Sequence, residues 1–554
     1  MPELWVSTTP HFFRASSGLG ISHWTHTRPA APILCRVAYL SPAFTSWGVH
    51  GVLSPELGGE FHFTMFIGFV IELHPRDSIG VGRRRSTFIH ILDDDSLLSI
   101  FRYCRPVILD RNEFDDFYTF RRWSWEDECW WFKLVKVCRR WRSLIFGSAF
   151  QLGVDLLCIQ GAPVADMLAR GPPLPLTIDR LHRHPITAQD NEDILLALKH
   201  RDRIRRIRLQ IPVPDLETLI AAMDGEFPML EYLAITPPSL HCTNLMLPSA
   251  FHAPRLRRLM LLGIAFPIAS PSLTTPSSLV SLSLRWVHPS TFLVPDELLQ
   301  RLSFAPRLEM LQISFGFSIS DDNVEKKMSC TPILTHVALP NLRHFSFEGD
   351  NPYMEMLISC MTAPLLEKLK IVFFHEYTLH VPHLLQLLTV TESLRFSLAT
   401  VKFHKEFLSF TAYPRGAIGR YFSIRYFDNG TLHDQITSAA QIFNSLTTPF
   451  AAVEYLTLGC ERDCTSQGQY VEAYRTQWCN FFRSFPNVKS LRVEDRRTGD
   501  LSRSLQFDLE EPPVYLLPQL GRLLYSSRED VVGVFSVFAD TCKKAGRPII
   551  LSPL

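Results

Sequence analysis

Charge of one sign is what this chain lacks first: 56 Lys and Arg stand against 55 Asp and Glu, a formal net charge of +1 over 554 residues. A nucleic acid or an anionic membrane is held by clustered basic excess. The runs Arg83-Arg84-Arg85 and Arg201 to Arg208 are offset by acidic residues elsewhere, so neither partner is expected. Long apolar runs are missing too. Phe61 to Leu73 spans 13 residues and includes His62, short of the ~20 that a membrane-crossing helix needs. Met1-Pro2-Glu3 does not begin the basic and apolar pattern of a secretory signal, and a cytoplasmic or nuclear setting is expected.

Chemistry-bearing motifs are equally scarce. Of 12 cysteines only Cys460 and Cys464 are close neighbours, and no CxxC pair completes a zinc pattern, so free thiols are expected rather than a disulfide framework or a metal site. Gly18-Leu19-Gly20 and Gly80-Val81-Gly82 lack the third glycine of a phosphate cradle. His375-Glu376 and His380 approach a zinc-protease motif, but their i, i+5 spacing turns the second imidazole about 140° away on a helix. No nucleophile elbow, P-loop or kinase signature occurs. The chain is therefore expected to be no enzyme, with no catalytic residue, no metal and no cofactor.

Glycine is sparse at 26 residues whereas proline reaches 39, so the chain is punctuated rather than loosened. With 46% hydrophobic residues it can bury a large core, as ~3 domains or as fewer if part is a repeat array. Residues 1–86 show no sustained period and are left as an unassigned extension.

Two stretches then follow helical period. Asp93, Asp94 and Asp95 suit a helix start, where carboxylates accept the free backbone amides. Leu92, Leu97, Leu98, Ile100 and Phe101 supply apolar positions, and Pro106 is expected to stop the helix. In Trp130 to Phe146, apolar residues at Leu134, Val137, Cys138, Trp141, Leu144 and Ile145 repeat as one helix face. Lys133, Lys136, Arg139, Arg140 and Arg142 fall opposite, as a solvated edge. Between the two, about 103–129 reads as an insertion.

LDDDSLLSIF followed by LVKVCRRWRSLIFGS resembles the F-box module, in the form common in mushroom-forming fungi. The more specific half is Val137-Cys138-Arg139-Arg140-Trp141-Arg142-Ser143-Leu144, and the likeness covers residues 87–148. It implies docking on a Skp-type adaptor, and through it a cullin, by Leu92, Leu97, Leu98, Ile100, Phe101, Leu134, Val137, Cys138, Trp141 and Leu144. The family usually has Leu-Pro where this chain has Leu92-Asp93. A repeat scaffold with a degenerate F-box and no ligase role therefore stays open beside the ligase reading.

Residues 149–200 read as a proline-rich linker and the start of a repeat array, and an L-x-x-L-x-L template then recurs. Copies stand at Ile204-Ile207-Leu209, Leu230-Leu233-Ile235, Leu256-Leu259-Leu261, Leu279-Leu282-Leu284 and Leu308-Leu311-Ile313. They continue at Leu342-Phe345-Phe347, Leu366-Leu369-Ile371, Leu398-Val401-Phe403, Val453-Leu456-Leu458 and Val488-Leu491-Val493. Starts from Ile204 to Leu398 lie 23 to 34 residues apart. Pro228, Pro254, Pro306, Pro340, Pro364 and Pro486 each precede the first apolar position by two, and are expected to end a helical half and release a strand. One such unit cannot cover its own apolar face, whereas stacked units can.

Over 201–554 this resembles an irregular leucine-rich-repeat solenoid, which commonly follows an F-box. The fold class expected is α/β, a small helical F-box-like module followed by that solenoid. The implied function is a substrate-receptor subunit of an SCF-type cullin-RING ubiquitin ligase. Side chains between the apolar strand positions would hold an unidentified target protein: Arg257, Arg258, Arg285, His344, Lys368 and Lys370, with Gln312, Ser314 and Ser346.

Overall fold

A computed structural model of the protein describes residues 92–553 except for 106–129, 266–277, 316–335, 375–379, 461–471, 495–515, 526–534 and some shorter stretches. The extension over 1–86, Pro106 and most of the expected insertion lie outside the described residues. All described residues belong to one compact unit, Ile89–Leu554.

Among the described residues four helices come first: α1 (Asp94–Cys104), α2 (Trp131–Leu134), α3 (Arg139–Gly147) and α4 (Ala149–Leu152). Strands and helices then mix through β1 (Leu156–Cys158), α5 (Val164–Arg170), β2 (Leu176–Leu181), α6 (Ala188–Leu198), β3 (Ile204–Gln210), α7 (Val213–Ala221), β4 (Tyr232–Ile235), β5 (Arg258–Leu262), β6 (Ser281–Val287), α8 (Pro295–Leu302) and β7 (Met310–Phe315). The middle holds β8 (Val337–Ala338), β9 (His344–Gly349), α9 (Asn351–Ser359), β10 (Met361–Thr362), β11 (Lys368–Phe374) and α10 (Pro382–Val390). The chain ends through β12 (Phe396–Phe403), β13 (Phe407–Pro414), β14 (Tyr421–Phe427), α11 (Leu432–Ser445), α12 (Thr447–Phe450), β15 (Tyr455–Cys460), α13 (Glu472–Arg483), β16 (Ser490–Val493), β17 (Arg522–Tyr525), α14 (Ser536–Lys544) and β18 (Ile550–Pro553).

Sixteen of these strands form one sheet in the order β1-β2-β3-β4-β5-β6-β7-β9-β11-β14-β13-β12-β15-β16-β17-β18. All pairings are parallel except those of β13, which runs antiparallel to β12 and β14. The template residues meet their equivalents in register: Leu233 pairs with Leu259, Leu259 with Leu282, Leu282 with Leu311, Leu311 with Phe345 and Phe345 with Leu369. The copy written as Leu398-Val401-Phe403 is displaced by two. Ala399 pairs with Leu456 and Val401 with Leu458, so the equivalents of the template on β12 are Phe396, Ala399 and Val401, with Phe403 buried beyond them. A small Ala in the middle position hid it.

The prolines act one step later than expected. The carbonyls of Phe227, Ala253, Ala305, Leu339, Ala363, Phe485 and Leu517 each accept the amide three residues on, with Pro228, Pro254, Pro306, Pro340, Pro364, Pro486 and Pro518 between. Proline at the second position of a β-turn has its φ already set, so these seven repeats enter their strands through the same turn. Those turns also bond one another. The Glu231 carbonyl accepts the amides of Arg257 and Arg258, the Arg257 carbonyl those of Val280 and Ser281, and the Glu309 carbonyl those of Arg343 and His344.

The core lies between the template side chains and the helices, with α7 contributing Leu216, Leu219 and Ile220, α8 Leu298, Leu299 and Leu302, and α9 Tyr353, Met354 and Leu357. Each fully buried aliphatic side chain contributes about 1.5–3 kcal/mol, so the repeated leucines dominate stability. The stretch 149–200, expected to hold a linker and the start of the array, contains β1, β2, α5 and α6, and β2 pairs with β3. The sheet therefore begins before the first template copy.

Between β2 and β3, Arg180 and Asp190 make a buried ion pair at 2.6 Å. Asp190 also accepts the Thr187 amide at 3.0 Å, within a capping box at the start of α6. Burial alone would push this carboxyl up. The Thr187 amide and hydroxyl and the Arg180 guanidinium outweigh it and hold the carboxyl at about 2, against an ordinary 3.8. Its stabilisation is therefore full above pH 3.8 and lost as pH falls toward about 2. Asp190→Asn is expected to destabilise the protein by about 3–5 kcal/mol, because Arg180 is left buried without its counter-charge. Urea unfolding between neutral pH and pH 2 should show this loss shrinking in acid; a constant difference would refute the assignment.

Candidate interaction surface

The helical part is assembled around α1. Asp93 caps it, accepting the Ser96 amide at 2.7 Å, and Asp94 and Asp95 occupy its first turn. Leu97 and Phe101 are buried, and the Phe101 ring meets Trp141 of α3 edge-on at 4.9 Å. The basic stretch is two helices rather than one. The Leu134 carbonyl accepts the Val137 amide and Cys138 is extended ahead of α3, while Arg142 Nε donates to the Val135 carbonyl at 3.1 Å and satisfies the end of α2.

This geometry sorts the residues expected to meet an adaptor. Leu97, Phe101 and Trp141 are interior, holding helix to helix, and are unavailable to a partner. Leu92, Leu98, Leu134, Cys138 and Leu144 are half-buried against the same core. Ile100 and Val137 are exposed, and Tyr103, Phe132 and Phe150 join them as exposed apolar side chains that the periodicity did not single out. Their signal was available only as aromatics off the apolar face. Arg140 is not a solvated edge: its guanidinium donates to Asp94 Oδ1 at 2.7 and 3.0 Å and to the Leu92 carbonyl at 2.6 Å.

A second set of contacts ties these helices to the sheet. Gly153, at φ 64°, follows α4, and a Cβ there would come within 3.0 Å of the Arg105 guanidinium. Arg205 of β3 reaches Asp155 at 3.3 Å and Glu231 at 3.1 Å, and its guanidinium stands 5.5 Å from the Phe150 ring centre. Burial, with Arg206 and Arg205 nearby, pulls the Arg105 guanidinium below its ordinary range.

The face of the sheet opposite the template residues carries the expected target-binding side chains. Arg257 is exposed in the turn before β5, and Arg258, Arg285, Lys368 and Lys370 are half-buried on β5, β6 and β11. His344 is buried, as are Gln312, Ser314 and Ser346, so these four do not present themselves to a partner. Their polar atoms are used inside the face: the Ser283 hydroxyl donates to Gln312 Oε1 at 3.0 Å and the Ser314 hydroxyl to Glu348 Oε2 at 2.9 Å. The register spreads the rest, since Arg258 and Lys368 are four strands apart, about 19 Å.

Among the described residues no group of three or more His, Cys, Asp or Glu side chains is placed to hold a metal, and no helix is long and apolar enough to cross a membrane. His375 and Glu376 lie outside the described residues; His380 is exposed ahead of α10. Burial pushes the Cys158 thiol up to about 11, which keeps it protonated and unreactive at neutral pH.

Trp141→Ala is expected to cost about 3–5 kcal/mol locally, since it removes a buried ring from the α1–α3 contact. Amide hydrogen exchange should show α1 and α3 losing protection while β5 to β11 keep theirs; unchanged protection of α1 would refute this.

No protein-family model matches the chain, and no curated protein is significantly similar to it.

Proposed function

We propose that this chain is a substrate-receptor subunit of an SCF-type cullin-RING ubiquitin ligase. In this reading residues 87–148 are an F-box-like module for a Skp-type adaptor, and the sheet with its helices is an irregular leucine-rich-repeat solenoid that holds the target. The observation that carries it is the joining, in one compact unit, of a small helical part bearing exposed apolar side chains to a long array of in-register repeats. The mechanism is proximity: a tethered target meets a ubiquitin-charged enzyme at high effective concentration. The chain itself performs no covalent step.

A scaffold with a degenerate F-box is the second reading, favoured by Asp93, whose side chain is committed to capping α1 where the family has proline. Mixing the purified chain with a Skp-type adaptor on a sizing column separates the two. Co-elution is expected, and Ile100→Glu with Val137→Glu should abolish it without changing the melting temperature, because both side chains are exposed and surface changes of this kind stay within about 0.5 kcal/mol. A wild-type chain that elutes alone would sink the ligase reading.

A further inference from the structure

Four neighbouring strands, β14, β13, β12 and β15, present an outer face unlike the closed middle of the sheet. Leu398 pairs with Tyr413 on one side and Tyr455 on the other, and these three are 39%, 39% and 45% exposed. They make a contiguous apolar stripe across three strands. Two residues along, Thr400 pairs with Thr411 and with Thr457, and Thr411 with Ser423, giving a stripe of hydroxyls. Two further on, Lys402 pairs with Ser409, and Ser409 with Arg425. Both cations are exposed. The Arg425 guanidinium stands 4.8 Å from the Phe407 ring centre, and the Lys402 stem lies across Gly459, 3.4 Å from where its Cβ would be.

No outward residue of β12 to β15 is a carboxylate. Glu494 Oε2 reaches this face beside Gly459, 3.3 Å from where its Cβ would be, but Glu494 is paired with Arg492 at 3.0 Å, so Lys402 and Arg425 leave the face net positive and its charge complement negative. Leu398 and Lys402 are four residues apart on one strand, about 13 Å. An extended peptide advances at the same rate per residue. A bulky apolar side chain on the Tyr413-Leu398-Tyr455 stripe therefore sets a carboxylate four residues on beside Lys402 and Arg425, with the hydroxyls between them reaching its backbone.

We propose that this platform, centred on the inserted antiparallel strand β13, is where the chain reads its target, and that it takes an extended acidic peptide with an apolar anchor four residues from its carboxylates. This rests on the reading of the sheet as the target-holding half. β13 is interior to the sheet, so the peptide is held across side chains rather than added as a further strand. A nucleic acid fits less well, because two exposed cations are few for a phosphate backbone.

The test uses the full chain and a fluorescein-labelled synthetic peptide of about ten residues, with Trp and a Glu-Glu pair four residues beyond it. Fluorescence anisotropy should give micromolar binding that weakens with salt. Lys402→Glu with Arg425→Glu, and separately Tyr413→Ser with Tyr455→Ser, should each weaken it about tenfold or more. On the unaltered chain, a peptide with lysines for the glutamates or with the spacing cut to one residue should lose binding similarly, which keeps the test independent of how any variant folds. No binding of the peptide, equal binding of the reversed-charge peptide, or tighter binding of a labelled oligonucleotide would overturn the proposal. Adaptor co-elution of the same variants is read separately. If the adaptor fails to bind while the peptide behaves as stated, the ligase reading falls and the platform stands.

Discussion

The fold depends on a turn that repeats itself. Seven copies close one hydrogen bond around a proline, and in most of the array a carbonyl just after the turn accepts two amides from the next copy, as those of Glu231, Arg257, Val280, Glu309, Arg343, Glu454 and Lys489 do. Register is fixed there, before any strand side chain is placed. Parallel strands lack the hairpin that sets register in antiparallel sheets, and a slip of one residue would send every template leucine to the wrong face. The proline turn supplies the missing constraint, and the in-register leucines supply the energy. Side-chain bonds add to it, as where Asn341 donates to the Pro306 carbonyl at 2.9 Å and Asn487 to that of Ala451 at 2.7 Å.

The inserted strands show what the constraint permits. After β11 the chain passes over two strand positions, lays down β12, and returns through β13 and β14 to fill the gap. β14 then matches β11 residue for residue, Leu369 against Phe422 and Ile371 against Ile424, so the core row continues without a break. The reversal is confined to β13, whose Leu408, Phe410 and Ala412 face the same core. The cost falls on the turns, since β14 is entered through Gly419 at φ 85° and no proline. The gain is a local change in the outer face, from buried hydroxyls and amide to exposed Tyr, Leu, Arg and Lys.

Much of this was legible in the sequence because the core writes itself as a period. Leu230, Leu256, Leu308, Leu342 and Leu366 are each marked twice, by their own repeat and by the proline before them. What was illegible has physical reasons. Ala399 occupies a core position with too little apolar bulk to register as a template residue. Leu156-Leu157-Cys158 is a continuous apolar run, which period two cannot recognise as a strand. The stretch from Lys133 to Leu144 keeps helical spacing through a break at Val135 to Cys138, because spacing records which residues are apolar and not where the hydrogen bonds stop. On the outer face, alternation identifies His344 and Lys370 as facing away from the core, but only the surrounding structure shows that one is buried and the other half-open.

The same distinction changes what the helical part contributes. Its most recognisable residues, Trp141 and Arg140, turn inward, one to Phe101 and the other to Asp94 and Leu92. Resemblance therefore rests on the residues that build the unit, while the exposed apolar side chains are less distinctive ones such as Ile100, Tyr103 and Val137. The helical part meets the following strands through Arg105 beside Gly153 and through Arg205 between Asp155, Glu231 and Phe150. An adaptor bound on one part would thus be held at a set orientation to the sheet, since no flexible linker separates α4 from β1: Val154 donates its amide to Ala149, and Leu156 donates to the Pro175 carbonyl at the start of β2. Under the proposed ligase reading, which works by proximity, that stiffness would matter as much as affinity, because effective concentration falls when the reach between two sites is left to a loose chain.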